Sequence, residues 1–327
     1  MTLTHSGKYL IFFLALCLIA CSEVQPKSVR HIQHSETPSY AAAINDNTTL
    51  VAISALDAGV TVWDLQKDTA LYSLGHQEKA NNQILSLSLS PDGNHLLTGD
   101  STDFALWQMS DGRNIGFWSV KDATIRDLAV SDFGRHLLVG QSDGKVQHIT
   151  LSSGRRIEFL GHTENVNSVD MSANGRFALT GSNDHYAYLW DTETAQIIHS
   201  FPHPNRVTKV TLDQQGRFAF SAGSELQGFI WDLKTGKQIS QLQLSRAQII
   251  TAARFSRNGK WLVTGSPSRA LILWDVATGK KIQQWQVRAI PNSRPASAVI
   301  HAVAFLNDST IISESSSGVA EVWEIKK

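Results

Sequence analysis

A tryptophan-centred pattern recurs along this chain of 327 residues and constrains its fold more than any other feature. In residues 161–191, three short runs of alternating apolar residues are separated by an Asn-Gly and a Ser-Asn-Asp turn signal. Alternation with a period of two, interrupted by such turns, predicts consecutive antiparallel strands. The Trp position returns at intervals of 41 to 49 residues, at Trp63, Trp107, Ile149, Trp190, Trp231, Trp274 and Trp323. This repetition predicts seven copies of one β-unit.

A fourth apolar run follows the Trp position at constant spacing in six copies. Constant offsets predict a turn of fixed length, and a Gly in four of these turns supplies the positive φ that such turns need. The seventh copy has no fourth run, because Trp323 lies only four residues before the end of the sequence. Residues 29–32 show the apolar spacing of a fourth strand. We therefore expect this segment to pair with the Trp323 strand, whose edge would otherwise be unpaired.

The Gly161-His162 start and the Trp190-Asp191 end of the central stretch resemble the WD40 repeat of β-propellers. Trp-Asp occurs in four of the seven copies, and the resemblance covers residues 28–327. It implies an all-β fold: a seven-bladed WD40-like β-propeller with four antiparallel strands per blade, closed by N-terminal strand pairing in the last blade.

The resemblance also implies a structural hydrogen-bond network in blade four, formed by His162, Thr180, Asp184 and Trp190. A buried imidazole and indole cost free energy unless they have partners. A hydroxyl, a His and an Asp are also the components of a nucleophilic triad. We favour the structural interpretation, because these positions face the blade interior in the family that the sequence resembles.

The other motifs that could indicate a catalytic or metal-binding site lack the structural context that such sites require. The G-x-S-x-G motif at residues 140–144 requires a strand-to-helix turn, but here it aligns with a turn between two strands. Neither His31 with His34 nor His199 with His203 has the spacing and the nearby carboxylates of a metal site. We therefore expect no catalytic residue, no metal ion and no cofactor.

The overall charge argues against nucleic-acid binding. Lys and Arg together number 29, and so do Asp and Glu, so the chain carries no basic field for a phosphate backbone. Both cysteines, Cys17 and Cys21, lie near the N-terminus, so the repeats contain no thiol for a disulfide or for catalysis.

The N-terminal segment has the features of a targeting signal. Lys8 precedes an apolar run of twelve residues, which is too short to span a bilayer. The sequence Leu18-Ile19-Ala20-Cys21 resembles the lipobox of bacterial lipoproteins. This implies a signal peptide at residues 1–20, a lipidated Cys21 and a tether over residues 21–27. Ser22, where an Asp would favour the inner membrane, points to the outer membrane, facing the periplasm. An ordinary secretory signal with a chance cysteine is the alternative.

Two links between blades are longer than the others, at residues 76–83 and 286–299. Long loops on a rigid scaffold are preferred binding places, although random insertion explains their length equally well. The candidate partner-binding residues on this end of the propeller are Asn183, Glu225, Arg288, Asn292 and Arg294.

The functional hypothesis is a monomeric, lipid-anchored propeller of the bacterial cell envelope that acts as a non-enzymatic protein-protein interaction scaffold. The identity of its protein partner does not follow from the sequence. One alternative is a propeller enzyme or small-ligand-binding protein that uses the central channel, which needs convergent polar or metal-binding side chains there. A purely structural envelope element is the third hypothesis.

Overall fold

The computed structural model describes residues 27–56, 58–76, 83–225, 227–244 and 249–326. The predicted signal peptide, Cys21 and most of the tether lie outside these ranges. The described strands form seven four-stranded antiparallel sheets. This arrangement confirms the all-β, seven-bladed propeller. One 3₁₀ turn, Asp132–Gly134, is the sole helical element among the described residues.

Blades one to six each run along the chain from an inner strand at the central channel to an outer strand at the rim. The first three blades comprise β2 (Ser39–Ile44), β3 (Leu50–Ala55), β4 (Gly59–Asp64) and β5 (Thr69–Leu74); β6 (Ser86–Leu89), β7 (His95–Gly99), β8 (Asp103–Gln108) and β9 (Asn114–Ser119); and β10 (Ile125–Val130), β11 (His136–Gln141), β12 (Val146–Thr150) and β13 (Arg155–Phe159). Blades four to six comprise β14 (Val166–Met171), β15 (Phe177–Ser182), β16 (Tyr186–Asp191) and β17 (Ile197–Pro202); β18 (Val207–Leu212), β19 (Phe218–Gly223), β20 (Gln227–Asp232) and β21 (Gln238–Gln243); and β22 (Ala252–Phe255), β23 (Trp261–Gly265), β24 (Ala270–Asp275) and β25 (Lys281–Gln286).

The last blade combines the two ends of the described chain. It contains β26 (Ile300–Asn307), β27 (Thr310–Ser315) and β28 (Val319–Glu324), with β1 (Arg30–Gln33) at the outer edge. β1 is antiparallel to β28, and its register joins Arg30 to Val322 and Gln33 to Val319.

The hydrophobic core lies between neighbouring blades. The cluster between blades three and four combines residues of both sheets, and its centre is Phe159, whose ring stacks on Trp190 with centroids 4.5 Å apart. The two rings are fully or almost fully buried. Because each blade depends on its neighbours to cover its apolar faces, the ring gains stability as a whole.

The hairpin turns also fit one blade to the next. Gly175, in the turn between β14 and β15, has φ +74°, and a Cβ at this position would overlap the ring of His136 in blade three. Gly216 occupies the equivalent turn of blade five with φ +70° and open space around it. Gly175 therefore serves both a left-handed turn and a tight contact between blades.

Candidate interaction surface

The two ends of the propeller differ in their loops. Because successive strands alternate in direction, the links between blades and the turns between second and third strands meet at one end. We call this the loop end, and the opposite end, with the remaining hairpin turns, the turn end. All five candidate partner-binding residues belong to loop-end segments.

The structure brings three of the four predicted network residues of blade four together. His162 Nδ1 lies 2.8 Å from Asp184 Oδ2, and its Nε2 lies 2.8 Å from Thr180 Oγ1. Trp190 is not part of the network, since its buried Nε1 has no hydrogen-bond partner among the described residues. The Trp190 indole is held by stacking on Phe159 instead.

A complete network occurs in blade two, which the sequence analysis missed. His76 contacts Asp100 at 3.1 Å and Thr98 at 2.8 Å, and the Trp107 indole N–H donates to the same Thr98 oxygen over 2.9 Å. The Gly75-His76 dipeptide was the available signal, because it matches the Gly161-His162 start of blade four. The long link that follows His76 obscured the alignment.

The burial of these networks favours a structural role, as braces within the blades. Burial by itself would raise the pKa of Asp184, but the hydrogen bonds and charge of His162 outweigh it and hold that pKa below its usual value. In blade five, burial lowers the pKa of His203 to about 4, and its Nε2 lies 2.7 Å from Ser221 Oγ. The side chains of His162 and Thr180 are buried, so they offer no surface for a substrate.

Asn183 and Glu225 lie on neighbouring blades at the loop end. The Asn183 side-chain oxygen accepts a hydrogen bond of 2.7 Å from Asn167, which fixes its orientation. Glu225 is exposed and receives a weak contact of 3.4 Å from Asn205. Of the two, the Glu225 carboxylate has more capacity left for a partner.

The long link between blades six and seven carries Arg288, Asn292 and Arg294. Asn292 and Arg294 are exposed, and Asn292 adopts a positive φ of 62°. Arg288 is different, because its backbone N–H donates to the buried carboxylate of Glu321 over 2.8 Å. The base of this loop is therefore fixed to blade seven, while its tip is free to contact other molecules.

Exposed apolar side chains at the loop end form a feature that the sequence analysis did not predict. Tyr40 lies near the start of β2, and Leu85 immediately precedes β6, the inner strand of the next blade. The two side chains are 38% and 49% exposed, and both line the central channel. Ile249 and Leu160 are also exposed at this end. Apolar and aromatic side chains of this kind are the usual centre of a protein-protein contact.

The central channel encloses a cavity of about 270 Å³ and contains several charged groups. Asp127 accepts a hydrogen bond from Ser168 Oγ in the next blade over 2.9 Å, and Asp170 accepts one from Thr211 over 2.9 Å. Burial raises the pKa of Asp170. These carboxylates connect neighbouring blades, so their bonds serve the ring itself.

Two basic residues of the channel are likewise engaged. Arg254 of blade six pairs with Asp46 of blade one and also donates to the Ile44 carbonyl over 2.9 Å. Lys209 lies 3.6 Å from the Asp127 carboxylate. The charged channel side chains thus have partners within the protein.

The described residues contain no group of three or more His, Cys, Asp or Glu side chains arranged to hold a metal ion. Among the residues that the structure describes, no helix is long and apolar enough to cross a membrane.

The seven sheets define a β-propeller of repeated four-stranded units. The family model "WD domain, G-beta repeat" matches residues 69–107, 154–191 and 236–275, and these three matches support the WD40 family. The first match runs from β5 at the rim of one blade to β8 of the next, so the sequence repeat is offset from the structural blade by one strand. No curated protein matches this sequence.

Proposed function

We propose that this protein is a lipid-anchored scaffold of the bacterial envelope that binds a protein partner through its loop end and performs no chemistry. In this proposal the protein is a monomeric ring that is anchored through Cys21 at the outer membrane and faces the periplasm. WD40 propellers are generally protein-binding scaffolds, and the three repeat matches agree with that role.

The observation that carries the proposal is the composition of the loop end. Tyr40 and Leu85 present apolar surface beside the channel mouth, and the tip of the link at residues 287–299 projects from the same end. An apolar centre with a polar margin such as Glu225 and Arg294 has the composition of a protein-protein contact.

The direction of β1 supports the choice of this end. β28 leaves the loop end after the turn at residues 316–318, so the antiparallel β1 begins at the turn end. A tether attached before Arg30 would therefore join the ring at its turn-end rim. The loop end would then face away from the anchored end and remain accessible to a partner.

Site-specific crosslinking in cells tests the proposal. A photoreactive residue at Leu85 or at Asn292 should capture the same partner, because both positions lie at the loop end. The same residue at Lys234, which is exposed at the turn end, is the matched control and should not capture it. Equal capture from Lys234, or no protein adduct from either loop-end position, would contradict the proposal.

A further inference from the structure

The outer strands of blades two and seven, β9 and β1, are the two that contain no fully buried residue. In β9 the large Trp118 ring still stacks on the buried Phe104, with centroids 5.4 Å apart, so β1 has the weaker apolar attachment. In blades one, three, four, five and six, the outer strand contributes one large buried side chain at a common register position, respectively Leu74, Phe159, Phe201, Leu242 and Trp285. Ile32 occupies that position in β1 but is only half-buried, and the other three residues of β1 are exposed. Less apolar area buried means a weaker hydrophobic attachment.

Polar contacts to Glu321 replace much of this apolar attachment. The Glu321 side chain is 2% exposed and accepts a hydrogen bond from Ser28 Oγ over 3.2 Å, just before β1 begins. Arg288, at the base of the long link, donates its backbone N–H to the same carboxylate over 2.8 Å. The first end of β1 is therefore held through one buried carboxylate that it shares with the link between blades six and seven.

A second buried carboxylate holds the other end of β1. His34, which follows the strand, places Nδ1 3.0 Å from Glu314 Oε2, and both side chains are fully buried. The His34 backbone N–H also donates to the Gly318 carbonyl over 2.8 Å. An exposed ion pair between Arg30 and Asp68 adds little, since such pairs contribute about 0–1 kcal/mol.

Blades seven and one are joined independently of β1. Ser39 donates through Oγ to the Ser315 carbonyl over 3.1 Å, and His301 Nε2 lies 3.0 Å from the Ser39 carbonyl. The two blades also share an apolar cluster that includes Ile44 and Ile312. The ring therefore keeps its last seam when β1 is absent from the edge of β28.

We propose that residues 28–34 form a releasable strap, which leaves the edge of β28 in a local opening while the seven-bladed ring stays closed. The half-buried Ile32, the buried carboxylates of Glu321 and Glu314, and the separate seam at Ser39 together define this unit. Local openings of this kind have lower free energies than global unfolding and involve segments with few buried apolar contacts.

Release would change the reach of the protein, a consequence that rests on the proposed lipid anchor. Seven extended residues add roughly 24 Å to the tether, at about 3.4 Å per residue. The strap would therefore set the distance between the ring and the membrane surface. It would also uncover the N–H and C=O groups of β28, which have the geometry to accept an extended segment.

Hydrogen exchange on the full-length protein, followed by mass spectrometry of its peptides, tests the strap directly. Peptides from residues 28–35 should exchange about tenfold or more faster than peptides from the other outer strands, such as β13 and β17. The seam at residues 39–44 and 300–315 should stay as protected as the inner strands of other blades. Equal protection of β1 and the other outer strands, or loss of protection at the seam together with β1, would overturn the proposal.

Two variants make the measurement specific. Ser28→Ala removes one hydrogen bond to Glu321 without disturbing the core and should accelerate exchange in residues 28–35 alone. Glu158→Gln, on the exposed outer strand β13, is the matched control and should leave that exchange unchanged. No acceleration in Ser28→Ala would also count against the strap. Because exchange reports on the ring and not on lipidation, failure of the anchor would appear separately, as membrane association that persists in Cys21→Ala.

Discussion

His34 and Glu314 form a fully buried pair, with Nδ1 and Oε2 3.0 Å apart, that joins the end of β1 to the second strand of blade seven. Burial raises the pKa of Glu314 above its ordinary value of 4.5, and nearby Glu321 raises it further, against the opposing effect of His34. The pair thus makes the attachment of β1 sensitive to protonation.

Stability should therefore respond to pH through Glu314. The pKa of Glu314 is higher in the folded protein than its ordinary value of 4.5, so between these two pKa values the folded protein keeps a proton that the unfolded chain has lost. The stability contributed by Glu314 is therefore fully present below pH 4.5 and is lost as the pH rises through the folded-state pKa. Urea unfolding at several pH values should show that the stability difference between wild type and Glu314→Gln falls across this window. The comparison isolates Glu314 from other groups, and a difference independent of pH would contradict the assignment.

His203 should produce the opposite pH dependence. Burial, followed by the charge of His185, lowers its pKa from 6.5 to about 4, so the folded protein resists protonation of this ring. Its contribution to stability is present above pH 6.5 and is lost as pH falls toward 4. His203→Gln should flatten acid destabilisation in this range, measured by thermal unfolding. His185→Gln, at an exposed position, should leave most of the slope in place.

Thr98 and Thr180 should contribute different amounts to the free energy of unfolding. Thr98 bonds both His76 and Trp107, whereas Thr180 bonds His162 and not Trp190. At about 1 kcal/mol for each hydrogen bond, Thr98→Val should cost about 2–3 kcal/mol and Thr180→Val about 1–2 kcal/mol. Chemical denaturation of both variants measures the difference. Equal losses would show that the Trp107 bond contributes nothing.

Alanine substitutions at Gly216 and Gly175, which occupy equivalent turns, should distinguish the cost of backbone strain from the cost of a steric clash. Gly216→Ala meets open space, so it should cost only the left-handed conformation, about 1–2 kcal/mol. Gly175→Ala has a similar φ but also collides with His136, so it should cost about 2–4 kcal/mol. Thermal unfolding of the pair provides the test. A Gly175→Ala variant as stable as Gly216→Ala would mean that His136 moves aside freely.

Membrane attachment should depend on one cysteine. Cys21→Ala should release the protein into the soluble fraction, because acyl chains contribute about 0.8 kcal/mol for each buried CH₂. Cys17→Ala is the matched control, since Cys17 lies within the predicted signal peptide, and it should remain membrane-bound. Fractionation of cell envelopes measures both. Membrane association that persists in Cys21→Ala would refute lipidation at this site.

Much of the fold could be predicted because its signals are local. The distance from the Trp position to the next apolar run predicts a strand and a turn without knowledge of any distant residue, and the fourth strands of blades one to six follow in chain order as this spacing predicts. Blade three departs from this spacing, because β12 and β13 pair without the one-residue register shift that the other blades show at the Trp. Its buried outer-strand residue is consequently Phe159, one position earlier than the constant spacing predicts, and Leu160 is exposed.

The braces were less predictable, because they depend on where side chains converge. His162, Thr180 and Asp184 were recognised from their order along the chain, but the missing bond of Trp190 depends on the position of its indole beside Phe159. The complete network of blade two was missed for a related reason. The long link after His76 changes the sequence spacing without changing the position of His76 beside Thr98 and Asp100.

The number of blades and the order of their strands follow from the sequence alone, since alternation and turn chemistry act over a few residues. Three residues of the blade-four brace, His162, Thr180 and Asp184, were recognised in the same way. The roles of Glu314, Glu321 and Arg288, in contrast, depend on contacts that form only in the folded ring. They meet β1 across more than 250 residues of chain, at a seam that exists only after the ring has closed. Burial removes water from the two carboxylates, so their free energy depends on the few protein groups that contact them. No local sequence pattern encodes that environment.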